Sequence, residues 1–372
     1  MMILYIIIIT VLFLFILDKF DKYTKEQYII QDKTDKNTKG EIQHPLDNFI
    51  NEEDVDDAII KKISENCVIS AKAVMWKYSQ KISKSLTLSG TSRSGVRSCF
   101  HCPELSSYFD AGLQGLSAAD MIFLTHGHAD HSHGVPMMNL EFESKAKLFV
   151  PSEIVNDVTD TISSFYKMNG NPGTTVDSKY EIIGVKPNTI LDIKLNDVVK
   201  ETQVGSKVKT RTIPGKDYLI ETFKCYHPVP AIGYGIYEKR KKLKPEYENL
   251  PGKEIGQLRK EGIDINYIKN EPIIAYLGDT TEKVFQDINN INLFKFPYII
   301  TECTYIYSTH LEEAKRGGHT NWCNLIPIIK AYSDTTFILI HFSPRYTITD
   351  LYKFFQKELE DNEIKNVIVW YG

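Results

Sequence analysis

The sequence predicts an α/β domain, sheets layered with helices, behind an apolar N-terminal segment. Two patterns predict the domain. From Leu86 onward short apolar, β-rich runs recur, and each delivers a metal-capable or acidic residue at or just beyond its end: 'MIFLTH' gives His126, 'PIIAYLGD' gives Asp279, 'YIITE' gives Glu302 and 'TTFILIH' gives His341. Stretches with helical spacing alternate with these runs, among them 'SEIVNDVTDTISSFYKM' and 'TDLYKFFQKELED', which favours an α/β over an all-β fold. The third observation concerns the start of the chain, where 'MMILYIIIITVLFLFIL' carries no charge through Leu17.

As a helix, residues 1–17 would run about 25 Å, near the lower limit for a bilayer span. The expectation is a single transmembrane anchor. A cleaved signal peptide competes, but there is no basic segment before the apolar run and no small-residue cleavage site after it. Lys19, Lys22 and Lys25 follow at once and would keep everything downstream on the cytosolic side. Residues 18–55, rich in Lys, Asp, Glu, Gln, Thr and Asn, read as a polar tether with little to bury, and 56–372 as the folded domain.

A chain of 372 residues with a formal charge of −4 is not basic as a whole, so any nucleic-acid surface must be local. Its six cysteines are too scattered for a disulfide framework and read as thiols. Cys99 and Cys102 have CxxC spacing, but without a second CxxC or a thioredoxin-like setting they read as buried strand residues.

Several strand ends therefore feed one rim, where sites are usually built. At that rim 'FLTHGHADHSHG' crowds His126, His128, Asp130 and His131 into six residues. Imidazole nitrogen and carboxylate oxygen are good ligands for first-row metals. His126 and His128, two apart on an extended loop, can grip one ion, while Asp130 and His131, turned the other way, can face a second. His133 reads as a supporting or solvent-facing residue. Alone, His227 in 'CYHPVP' and His341 in 'LIHFSP' would be core or capping residues.

HxHxDH behind a strand resembles the metallo-β-lactamase superfamily. With 'HPVPAIGYGI' from His227, 'GDT' at Asp279, 'ECTY' at Glu302, 'GHT' around His319 and 'HFSPRY' from His341, the resemblance narrows to ribonuclease Z, the tRNA 3′-processing endonuclease, over Leu86 to Tyr346. It implies a four-layered αββα sandwich and two zinc ions per chain, or manganese or magnesium in their place. His126, His128 and His227 are implied around one ion, Asp130, His131 and His341 around the other, with Asp279 bridging. Asp130, Glu302 and His319 are implied catalytic residues. His319 would donate a proton or steady the scissile phosphate, and Glu302 would hold His319 or orient a metal-facing histidine. Precursor tRNA is the implied substrate and a homodimer the implied assembly.

Where the family carries a Pro-x-Lys-x-Arg-Asn element, this chain has 'GTSRSGVRSCF', with Arg93 and Arg97 differently placed. Between His227 and Asp279 lies 'YEKRKKLKPEYENLPGKEIGQLRKEG', longer than a connection needs and positioned, at about 237–270, where the family carries a tRNA-binding arm. Lys239, Arg240, Lys241, Lys242 and Lys244 are its candidate RNA contacts. Glu246, Glu248 and Glu254 dilute that charge. Two other readings stay open. One is a small-molecule hydrolase on the same metals, such as a cyclic-nucleotide phosphodiesterase or a lactonase-type enzyme; the other is a tethered RNA-binding protein that does not cut.

Overall fold

A computed structural model describes residues 79–371, apart from 171–172, 196–197, 205–206 and 214. The expected anchor and tether, 1–17 and 18–55, lie outside the described residues. Among the described residues no helix is long and apolar enough to cross a membrane.

Two seven-stranded mixed sheets make up the scaffold. The first runs in sequence order through β1 (Ser79–Ser83), β2 (Leu86–Arg93), β3 (Arg97–Cys102), β4 (Ser107–Phe109), β5 (Met121–Phe123), β6 (Ala146–Pro151) and β7 (Tyr180–Val185). Its first four strands pair antiparallel, and β4 to β7 pair parallel. The second contains β8 (Ile190–Lys194), β11 (Asp217–Lys224), β12 (Ile232–Leu243), β13 (Asn266–Tyr276), β14 (Tyr298–Glu302), β15 (Thr336–Ile340) and β16 (Val367–Val369), in that spatial order. Here β8, β11, β12 and β13 pair antiparallel and β13 to β16 parallel. A separate two-stranded ribbon, β9 (Val198–Val204) with β10 (Lys207–Ile213), interrupts the β8–β11 connection.

Burial follows the pleat. Leu86, Leu88, Phe100, Phe109, Phe123 and Phe149 of the first sheet share one apolar cluster with Ile220, Tyr234, Ile236, Ile274, Tyr276, Ile300, Ile338 and Ile340 of the second, so the sheets pack face to face. Side chains alternate along a strand, so the other faces also need cover. Helix α1 (Val155–Met168) packs through Ile162 and Tyr166 with Leu148 and Val150 of the first sheet. Helices α3 (Trp322–Ala331) and α4 (Ile348–Asp361) pack through Trp322, Leu325, Leu351 and Phe355 with Phe337 and Leu339 of the second. Helix α2 (Gly252–Lys260) has no buried residue and sits at the end of the β12–β13 excursion. The two sequence segments read as helical contain α1 and most of α4. Cys99 and Cys102 are fully buried free thiols on β3, as their context predicts.

This topology sends many chain segments to one rim. β4 and β5 point the same way, as do β13, β14 and β15, and β11 matches β13 because two antiparallel pairings separate them. Parallel strands place their carboxyl ends together, where α/β folds build sites.

Candidate metal centre

The histidine loop starts on a buried strand. After Met121–Phe123, Leu124 and Thr125 stay buried, and His126 enters the site fully enclosed. His128 is still extended, with φ −60° and ψ 145°, but Ala129–Ser132 makes one helical turn. Beyond that change of backbone, Asp130 and His131 fall into a different ligand group from His126 and His128.

The other groups arrive from the strand ends. His227 follows β11, Asp279 follows β13 and His341 follows β15. Gly278 precedes Asp279 at φ +60°, and a Cβ there would meet the Thr125 hydroxyl at 2.5 Å, so the aspartate's approach requires glycine. His341 itself sits at φ 62°, a left-handed conformation that costs a side-chain-bearing residue about 1–3 kcal/mol and recurs at functional sites.

Metal-capable atoms of His126, His128, His227 and Asp279 lie within 4.8 Å of one another, as do those of Asp130, His131 and His341. Asp279 is central. Its carboxylate oxygens lie 3.3 Å from His131 Nε2, 3.4 Å from His341 Nε2, 3.8 Å from His126 Nε2 and 4.0 Å from His227 Nε2.

Hydrogen bonds on the far sides of the rings decide which nitrogen faces inward. His131 Nδ1 lies 2.7 Å from Asp110 Oδ2, and His227 Nδ1 lies 2.9 Å from the Gly318 carbonyl; each ring donates there. Thr125 gives its hydroxyl proton to Asp110 and so accepts from His126 Nδ1 at 3.0 Å. Thr304 gives its proton to Glu302 and accepts from His341 Nδ1 at 3.1 Å. Four Nε2 atoms therefore converge, the arrangement that supports metal-facing imidazoles. His128 instead presents Nδ1, 3.2 Å from His227 Nε2.

The donor set fits divalent cations. Between His131 and His341, whose Nδ1 atoms are committed elsewhere, Nε2 faces Nε2 at 3.3 Å, a contact that needs a proton or a cation between the two nitrogens, while His128 Nδ1 can donate to His227 Nε2 at 3.2 Å. His126 Nε2 and Asp279 Oδ1 are buried polar atoms without a hydrogen-bond partner, a costly condition that a cation would relieve. Among the described residues, no Lys or Arg pairs with Asp110, Asp130, Asp279 or Glu302, so histidines alone balance these acids.

Protonation follows the same balance. Burial, then repulsion from His131, pushes His126 well below the usual imidazole range; burial and His227 lower His128. Burial also opposes charge on His131, but the carboxylates of Asp279 and Asp110 outweigh it and hold His131 well above that range. For Asp279 burial favours the acid, yet His341 and His131 keep it ionised, well below the ordinary carboxylate range. Asp130 is likewise lowered by His341 and His131 against its burial.

His319 borders this group, its Nδ1 2.9 Å from Glu302 Oε1 and 3.9 Å from Asp279. Burial would lower its pKa, but Glu302 and then Asp279 raise it to about 9. Glu302 is fully buried and saturated: Oε1 accepts from Thr280 N and His319, and Oε2 accepts from the Thr304 hydroxyl and Thr320 N. Both roles read for Glu302 thus have contacts, directly to His319 and through Thr304 to His341.

Asp110 is missing from the sequence-based set. It binds His131, both the amide and hydroxyl of Thr125, and the Tyr276 hydroxyl. The signal was present, because 'SSYFDAG' ends a β-rich run in an acid just as the other site strands do. His133 is exposed and bonds the Ala129 carbonyl through Nδ1 at 2.7 Å, a solvent-facing role. Arg93 is tied to the carbonyls of Ser343 at 3.3 Å and Tyr346 at 2.5 Å, so it braces the loop after His341. Gly95, in the same turn, donates its amide to Asp130 at 2.9 Å.

The candidate RNA contacts are not part of this cluster. They lie on and just beyond the outer half of β12, which pairs with β13 from Lys239↔Asn270 to Leu243↔Asn266. The pleat divides them, with Arg240 and Lys242 on one face and Lys239 and Lys241 on the other. Nearby acids meet several: Lys239 pairs with Asp192, Arg240 with Glu238, and Lys242 with Glu271 at 3.9 Å. Lys244 Nζ donates to the Asp264 carbonyl at 2.6 Å.

No family model matches the chain. It is 31% identical over 278 residues to a chloroplastic tRNase Z of Arabidopsis thaliana (TRZ2), covering 72% of this chain and 70% of that one. A second Arabidopsis tRNase Z (TRZ1) is 28% identical over 278 residues, covering 74% and 88%. The crystal structure of human tRNase Z, short form, is 17% identical, with 77% and 89% covered and a TM-score of 0.42, too loose a likeness to bear on fold or function.

Proposed function

The chain belongs to the tRNase Z, or ribonuclease Z, family, and on that premise we propose that it is a metal-dependent endoribonuclease that removes the 3′ trailer from precursor tRNA. The observation that carries this reading is a pair of ligand groups, His126, His128, His227 and Asp279 beside Asp130, His131 and His341, with Asp279 also 3.3 Å from His131 and 3.4 Å from His341 and with His319 and Glu302 at their edge. The reading includes a four-layered αββα metallo-β-lactamase fold, supported by two facing sheets with helices on their outer sides.

His126, His128, His227 and Asp279 would hold one zinc ion, and Asp130, His131, His341 and Asp279 the other. When bound, two such cations supply Lewis acidity, lowering the pKa of water and offsetting phosphate charge. The chain's own residues do the rest. Asp110, Thr125, Thr304 and the Gly318 carbonyl fix the ring tautomers, which keeps the ligands oriented before substrate arrives.

The cleavage is a hydrolysis: a water oxygen adds to phosphorus and gives up a proton to solvent as the P–O3′ bond breaks, and protonated His319, with Nδ1 on Glu302, offers its Nε2 proton to the departing 3′-oxygen. The products are a tRNA ending in a 3′-hydroxyl and a trailer beginning with a 5′-phosphate. Glu302 positions His319, and the β12–β13 arm would engage the tRNA body. We further propose that residues 1–17 tether this activity to a membrane and that the chain dimerises. Incubating purified protein with precursor tRNA and mapping both new ends tests the activity; no cleavage at the trailer junction with metal supplied would overturn it.

A further inference from the structure

Two distant loops carry the second ligand group, and a third segment joins them. Asp130 and His131 sit on the Ala129–Ser132 turn, whereas His341 follows β15, 210 residues beyond His131. The joining segment is the hairpin turn between β2 and β3, whose ladder ends at Arg93↔Arg97.

This turn meets the His341 loop first. Arg93 bridges to Phe342 in parallel, and the Ser94 amide donates to the Phe342 carbonyl at 3.2 Å. The Arg93 guanidinium extends that contact to the carbonyls of Ser343 and Tyr346. Next along the chain, the Gly95 amide donates to Asp130 Oδ2 at 2.9 Å, the same oxygen that lies 3.3 Å from His341 Nε2 and 3.6 Å from His131 Nε2. The base of the hairpin is tied to this loop as well: the Gly112 amide donates to the Ser98 carbonyl at 2.9 Å, and its neighbour Ala111 donates to the His131 carbonyl at 2.7 Å.

Both loops need to be held. His341 keeps a φ of 62°, and a strained backbone persists only where its surroundings over-determine it. Asp130 is the least buried member of its group. Apart from the histidines of that group, the Gly95 amide is the single hydrogen-bond donor to its carboxylate among the described residues. Without that bond the carboxylate is free to turn towards water. The first group is fixed by other means, His126 by Thr125 and His227 by the Gly318 carbonyl.

Gly95 suits this bond through its backbone alone. Its φ is +66°, and a Cβ there would meet nothing within 4 Å, so the glycine serves the direction of its amide rather than close packing.

We infer that the Arg93–Arg97 turn is a clasp that positions Asp130 against His341, and that it sets the metal affinity of the Asp130, His131 and His341 group alone. This rests on the reading of the two ligand groups as metal sites. Gly95 and Arg93 are its positioning residues.

The test follows zinc binding to the full chain by competition with a chelator, in which two sites give two steps. Gly95→Val places a β-branched residue in the left-handed region, which it resists, so the amide must turn away from Asp130; Gly95→Asn tolerates that region and keeps the amide in place. Arg93→Met removes the bonds to Ser343 and Tyr346. Because Arg93 Nη1 is buried without a partner, an apolar chain of similar length also removes a desolvation cost, and the metal-free variant should unfold at the wild-type midpoint. Gly95→Val and Arg93→Met should each weaken one step by about 10–100-fold, the worth of a group that orients a ligand, and leave the other unchanged. Gly95→Asn should restore the wild-type profile. In a His227→Ala background, which strips a ligand from the first group, Gly95→Val should weaken the tighter remaining step by the same factor. An unchanged step in that background overturns the clasp, as do equal weakening of both steps, wild-type binding in Gly95→Val and Arg93→Met, or the same loss in Gly95→Asn as in Gly95→Val; the metal centre survives each of these. An unaltered chain that takes up no zinc overturns the metal centre itself and the clasp with it.

Discussion

Replacing Asp279 by Asn keeps the side chain's shape and removes its charge. The structure places five imidazoles within 4.0 Å of this carboxylate, those of His126, His131, His227, His319 and His341. If it bridges two cations, both lose their shared anionic ligand. Unit charges 4 Å apart attract by about 4 kcal/mol at an effective dielectric constant of 20. A doubly charged ion loses at least that much, so each site should bind metal on the order of a thousandfold more weakly. Elemental analysis after dialysis against a weak chelator should find about two ions in the unaltered protein and close to none in Asp279→Asn. Trailer cleavage should fall with metal content. A variant that keeps both ions and near-normal turnover would refute the bridging assignment.

His319→Ala should retain its metal while cleavage slows by roughly two to four orders of magnitude, the worth of a positioned proton donor; metal loss would make His319 a ligand instead. Asp110→Asn, which loosens His131, should weaken metal binding by about 10–100-fold, measurable by competition with a chelator. Neutralising Lys239, Arg240, Lys241, Lys242 and Lys244 together should lower affinity for precursor tRNA tenfold or more at low salt, while a small chromogenic phosphodiester is turned over nearly as before. Equal loss on both substrates would assign the run to folding. Deleting residues 1–17 should move the protein from the membrane fraction to the soluble one; a full-length chain with an intact N-terminus that is already soluble contradicts the anchor.

The candidate ligand set could be proposed from sequence because its motifs are local or stereotyped. His126, His128, Asp130 and His131 lie on one short loop, and His227, Asp279 and His341 each follow a recognisable strand in a motif that names them. Asp110 escaped because a lone acid after a short strand is a weak signal until the partner histidine is known to lie 2.7 Å away. The two possible roles of Glu302 could not be separated from sequence because Thr304, two residues on, connects it to His341 while the same carboxylate holds His319. The basic run showed its composition in sequence but not its division by the pleat, nor the acids Asp192 and Glu271 that neighbouring strands bring to it.

The central claim, that this metal centre serves tRNA rather than a small phosphodiester, is tested most directly by comparing the two substrates on one preparation. The purified metal-loaded chain is given precursor tRNA and a cyclic nucleotide, kcat/KM is measured for each, and the RNA ends are mapped. The account predicts cleavage at the trailer junction, leaving a 3′-hydroxyl on the tRNA, with kcat/KM orders of magnitude above that for the cyclic nucleotide. Efficient hydrolysis of the cyclic nucleotide with intact precursor tRNA would contradict it.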